Sequence, residues 1–93
     1  NLSSGLLNNY YSILIRQNLN SEDNISKSIK ILENQIKITD MITTNQKNSF
    51  IDNIYLNTYA IEKNIKSEKN LRILLPKILS HFSQKGYAFK AIN

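Results

Sequence analysis

The sequence predicts an all-α domain of two antiparallel helical hairpins followed by the start of a fifth helix. Three observations carry that prediction: apolar residues recur at helical spacing, serines stand where two helices would begin, and one stretch occurs twice. Residues 15–25 read I-R-Q-N-L-N-S-E-D-N-I, and residues 61–71, 46 positions later, read I-E-K-N-I-K-S-E-K-N-L. Identities fall at Ile15/Ile61, Asn18/Asn64, Ser21/Ser67, Glu22/Glu68 and Asn24/Asn70, with apolar matches at Leu19/Ile65 and Ile25/Leu71. A recurring helix–turn–helix unit suggests a stacked, TPR-like helical repeat, with a closed four-helix bundle as the alternative packing. Stacked repeats would leave a groove, whereas a closed bundle would leave none.

The first helix is expected over about residues 5–19. Ser3, Ser4 and Gly5 mark its entry, and Leu6, Leu7, Tyr10, Tyr11, Leu14 and Ile15 form a broad apolar side. The second begins at Ser21, a natural N-cap, with Glu22 and Asp23 in the first turn where the helix dipole favours negative charge. Ile25, Ile29, Leu32 and Ile36 make a buried stripe, and Lys27, Lys30, Asn34 and Lys37 lie roughly opposite on a solvated face. The stretch T-T-N-Q-K-N-S, residues 43–49, loses periodicity and reads as a turn or a frayed junction.

A third helix is expected over about residues 50–65. Phe50, Ile51, Ile54, Tyr55, Ile61 and Ile65 face inward, with Thr58 filling the gap in that stripe. Ser67 caps the fourth helix, where Leu71, Leu75, Ile78 and Phe82 repeat the spacing of the second. Pro76 should kink or break it, because proline lacks an N–H and clashes with the preceding turn. Gly86 suits a left-handed helix end, with Tyr87 packing on Phe82, and residues 88–93 begin another helix. No sustained alternation supports a strand. Isoleucine and asparagine are mediocre helix formers, so tertiary packing must hold these helices.

Ninety-three residues make one small all-α domain, residues 1–93. The chain starts at Asn1 and stops at Asn93 within an apolar pattern, so it reads as part of a longer protein. It has no cysteine, which excludes thiolate metal and redox sites and fits a reducing cytoplasm. No apolar run is long enough to span a bilayer. The net charge of +5 invites a nucleic-acid reading, yet Ile, Asn and Lys dominate the chain, and all three have A/T-rich codons. Only Arg16 and Arg72 among the cations are arginines, the residue that base readout favours.

Catalytic chemistry is not visible, and no cofactor is expected. His81 is the single imidazole and lacks a metal-ligand partner at helical spacing. The seven carboxylates are scattered, and no phosphate-binding glycine loop or nucleophile motif occurs. What remains is surface. Asn9, Ser12 and Arg16 form a polar stripe on the first helix, and Asn53, Asn57 and Asn64 form one on the third. A carboxamide can donate to a peptide C=O and accept from its N–H, so these residues are the candidate contacts for a short peptide or protein partner. The two stripes do not superpose under the 46-residue shift.

The segments L-L-N-N-Y-Y-S-I-L-I, S-I-K-I-L-E-N-Q-I, F-I-D-N-I-Y-L-N-T-Y and I-L-P-K-I-L-S-H-F-S-Q-K-G-Y-A-F-K-A-I together resemble the C-terminal helical-repeat domain of Rgg/GadR/MutR-type transcriptional regulators from low-GC Gram-positive bacteria. That resemblance implies peptide binding and homodimerisation, with DNA bound only through an N-terminal helix-turn-helix domain outside this segment. Taken with the polarity of the two stripes, it implies a peptide groove faced by Asn9, Arg16, Asn53 and Asn57. Two other likenesses run alongside: small basic bacteriocin immunity-type four-helix bundles, and, for the last segment, the nucleic-acid-binding three-helix units of RecX-type recombination regulators.

Overall fold

The structure, a computed structural model, describes residues 2–74 and 76. Helix α1 spans Ser4–Gln17, α2 spans Glu22–Lys37 and α3 spans Lys47–Asn64. Two 3₁₀ turns, Thr39–Met41 and Thr44–Gln46, fill the α2–α3 connection. A fourth helix, α4, starts after Ser67, and its continuous described run covers residues 68–74. The all-α class holds. Among the described residues there is no strand, only an isolated parallel bridge between Leu2 and Ile42. That bridge pins the N-terminal segment beside the α2–α3 connection: Leu2 N donates to Met41 O at 2.7 Å, and Thr43 N to Leu2 O at 2.9 Å.

The duplicated sequence makes the same hydrogen bonds twice. Ser21 Oγ accepts from Asn24 N at 3.3 Å and Ser67 Oγ from Asn70 N at 3.3 Å, so each serine caps the helix that follows it. Asn18 Nδ2 donates back to Leu14 O and Asn64 Nδ2 to Ala60 O, both at 2.8 Å. Leu19 N to Arg16 O is matched by Ile65 N to Glu62 O, and Ile25 N to Ser21 O by Leu71 N to Ser67 O. Ile15 and Ile61 are both fully buried. Ser21→Ala is expected to cost about 1 kcal/mol by orphaning one first-turn N–H, lowering Tm by roughly 4–8 °C. A thermal melt read by circular dichroism at 222 nm checks it.

Ile25, Ile29, Leu32 and Ile36 are buried, as their spacing predicts. Lys27, Lys30, Asn34 and Lys37 are exposed. In α3, Phe50, Ile51, Ile54, Tyr55 and Ile61 are buried, and Thr58 fills its place in the stripe, its hydroxyl donating to Ile54 O at 2.8 Å. Ser28, also fully buried, donates to Ile15 O at 2.9 Å and lets α2 lie close against the end of α1. These residues form one core shared by the three helices, to which α4 adds Leu74.

Two expectations are corrected. Residues 43–49 are not all turn: Lys47 already opens α3, three residues before Phe50. The broad apolar side of α1 is not all buried either. Ile15 is, whereas Leu6 is 82% and Tyr10 57% exposed, joined by Ile13 at 57%. At about 100° per residue Leu6 lies opposite Ile15, so one flank cannot bury both. The expected Pro76 bend, the contact of Tyr87 on Phe82, the helix end at Gly86, the fifth helix and His81 lie outside the described residues.

Candidate functional site

Helices α1 and α3 run side by side in the same direction, because Ser4 N near the start of α1 donates to Gln46 Oε1 just before α3. Further along, the two polar stripes meet in a hydrogen-bonded network. Asn53 Nδ2 donates to Ser12 Oγ at 3.0 Å. Asn57 Oδ1 accepts from Ser12 Oγ at 3.2 Å and from Arg16 Nη1 at 2.8 Å. Asn57 Nδ2 donates to Gln35 Oε1 and to Asn53 Oδ1, each at 3.0 Å. Gln35 Nε2 closes the circuit onto Asn53 Oδ1 at 2.6 Å. One side chain of α2, two of α1 and two of α3 are thereby tied together.

Asn57 and Gln35 are fully buried, Ser12 and Asn53 half-buried, and Arg16 exposed. The expectation that Asn57 lies on a ligand-facing surface is therefore corrected: both its N–H donors and both acceptor positions are engaged inside the protein. Unsatisfied, such a carboxamide would cost several kcal/mol to bury. Asn9 is exposed, one turn before Ser12 on the same side of α1. Asn64 sits two turns beyond Asn57 and is not in the network. Its side chain bonds back to Ala60 O, and it lines a depression of about 420 Å³ with Leu19, Asn20, Ser21, Ile25 and Lys66. Four of the six candidate residues thus converge, and two do not.

The hydrogen bonds of residue 12 with residues 53 and 57, and of 16 with 57, fix the register of α1 on α3. At that register Ile13 is level with Leu56. Each sits one residue from a network member, about 100° round its helix and away from the core. The two residues therefore flank the α1–α3 seam on its outer side, 57% and 60% exposed. Leu6 and Tyr10 extend the apolar surface along α1, and Tyr59 extends it on α3, with Lys63 Nζ 5.3 Å from the Tyr59 ring centre. Arg16 stands at the seam itself.

No family model matches this chain, and no curated protein or solved structure shows significant similarity to it.

Gln35 was missing from the candidate residues. It lies one turn beyond Leu32 and one residue before Ile36, so helical periodicity alone places it beside the buried stripe. A polar residue there needs a buried partner. Elsewhere, burial pushes the Glu62 carboxyl above its ordinary pKa, on the side of α3 away from the seam. Burial, with the neighbouring Tyr10 phenol, likewise raises Tyr11. Among the described residues no His, Asp and Glu cluster could hold a metal ion, and no helix is long and apolar enough to cross a membrane.

Proposed function

We propose that this chain is a non-catalytic helical-repeat domain of a transcriptional regulator, binding a short peptide or protein segment on the outer face of α1 and α3. The observation that carries this reading is the direct contact of α1 with α3 through Asn57. In a closed up-and-down four-helix bundle the first and third helices stand diagonally across the core and do not hydrogen-bond side chain to side chain. In stacked repeats, equivalent helices are neighbours and line one face. The twice-made helix–turn–helix hydrogen bonds support the same arrangement. Together they weigh against the immunity-type bundle.

The chemistry of the face suits an extended apolar peptide. Ile13, Leu56, Leu6 and Tyr10 offer apolar area, the kind of exposed patch that marks interaction sites. Asn9 and Arg16 offer polar contacts beside it. Asn53 and Asn57 serve by holding the two helices in register. Homodimerisation and a DNA-binding partner domain belong to the same reading, through the resemblance to Rgg-type regulators.

A nitrogen-15 NMR titration with a panel of short apolar peptides tests it. Shifts are expected to cluster at Asn9, Ile13, Arg16, Asn53 and Leu56. Shifts confined to the lysine-bearing face of α2, or none with any peptide, would sink the proposal.

A further inference from the structure

We infer that Asn57 is a positioning residue that holds the Arg16 guanidinium ready for a carboxylate on the bound peptide. The inference rests on the peptide-binding reading and adds to it the chemistry of the ligand.

The argument starts inside the core. Both hydrogens of Asn57 Nδ2 are spent on Gln35 Oε1 and Asn53 Oδ1. That leaves its carbonyl oxygen no choice of direction: Oδ1 must face α1, where it accepts from Arg16 Nη1 at 2.8 Å. Nη1 also donates to Ser12 O at 3.3 Å. Arginine has five N–H donors in a rigid planar fork. Holding Nη1 therefore fixes the plane and leaves the edge formed by Nε and Nη2 without a partner among the described residues. The described ion pairs, Lys47–Asp40 and Arg72–Glu68, do not involve Arg16. Arg16 is also the only charged residue of α1.

An arginine edge presented this way matches a carboxylate in two parallel hydrogen bonds. The match is strengthened because the network has already ordered the guanidinium, so less freedom is lost on binding. Arg16 lies one helical turn beyond Ile13 and beside Leu56 across the seam. A ligand that packs an apolar side chain between Ile13 and Leu56 would therefore place a carboxylate about one turn further on. The ligand class is an apolar peptide carrying a carboxylate at its C-terminus or on an adjacent side chain.

Three probes separate those sources: N-acetyl-Leu-Ile-Leu as the free acid, the same peptide as its C-terminal amide, and N-acetyl-Leu-Ile-Glu amide. Affinities are measured by titration on the wild-type chain, with the Arg16 Nε–H signal followed by NMR. At least one carboxylate probe is expected to bind about tenfold or more tightly than the plain amide and to move the Arg16 signal. Which of the two does so assigns the carboxylate to the terminus or the side chain. The Gln35→Met/Asn57→Leu double variant, folded by its melting curve, is expected to lose that preference. A second readout needs no variant: rotation about the Arg16 guanidinium bonds should be slowed in the ligand-free protein relative to exposed Arg72.

Free rotation of Arg16 like that of Arg72 would overturn the positioning role, as would a folded double variant that retains the acid preference. Equal binding of acid and amide on the α1–α3 face would overturn the carboxylate and leave peptide binding standing. Binding of none of the three probes, together with a silent peptide panel, would remove the peptide reading and this inference with it.

Discussion

Phe50→Ala is expected to lower the free energy of unfolding by about 3–5 kcal/mol. Phe50 heads the fully buried large side chains and is completely inaccessible to solvent. It stands in the first turn of α3, which begins at Lys47, and shares a core with Ile15 of α1, Leu32 of α2 and Ile42 of the connection. Truncation removes an aromatic side chain where three helices and a connection converge, and a cavity opens that this many elements cannot jointly fill by shifting. A domain of this size has a total stability of about 5–15 kcal/mol, so the substitution removes a large share of it. Urea unfolding followed by circular dichroism measures the loss. Leu56→Ala, on the same helix but 60% exposed, is the matched control and should change stability by no more than about 0.5 kcal/mol. Equal losses in the two variants would mean that the core does not lie where α3 meets α1 and α2.

The burial of Phe50 was legible from helical spacing, and so was most of the fold. The Ser21 and Ser67 caps could be read because a small hydroxyl before an acidic residue and an apolar stripe has a local cause, satisfaction of first-turn N–H groups. The Ile25 to Ile36 stripe could be read because a single helical face has one period. The outward face of α1 could not. Apolar residues span more than half of that helix's circumference, so periodicity gives no single direction within the arc, and only the packing of α2 and α3 selects Ile15 over Leu6 and Tyr10 for burial. The α2–α3 connection was misread at its end for another reason. In the first turn of α3 Asn48 and Ser49 are exposed and Lys47 half-buried, with Phe50 its first buried residue, and polarity alone does not separate such a turn from a loop.

The candidate site was legible in its membership and misjudged in its orientation. Ser12, Arg16, Asn53 and Asn57 do come together, but spacing within each helix cannot say whether two polar stripes face each other or face water. That depends on the rotation of α1 against α3, which is a tertiary quantity. The clue available in the sequence was Gln35, because a third polar side chain beside a buried stripe requires partners, and those partners have to come from the neighbouring helices.

The second large effect concerns that network. Asn57→Ala is expected to cost about 2–4 kcal/mol, more than a lost hydrogen bond alone, because it strands buried polar atoms. Gln35 Oε1 loses the only partner it has in the network while remaining fully buried. Arg16 and Ser12 lose a shared acceptor, though both reach water and suffer less. Gln35→Met alone should likewise destabilise, by orphaning the Asn57 amide. The Gln35→Met/Asn57→Leu pair replaces both carboxamides with apolar groups of similar shape, and such paired replacements are often neutral. It is therefore expected to cost less than the two single losses added together, by about 1–2 kcal/mol in a double-mutant cycle measured by urea unfolding. Additive losses in the cycle would mean that Asn57 and Gln35 act independently and that no closed network exists. Recovery to near wild-type stability would have a further consequence. A network that apolar residues can replace at little cost is not kept for stability, which leaves the register of α1 against α3 and the direction of Arg16 as what its polarity specifies.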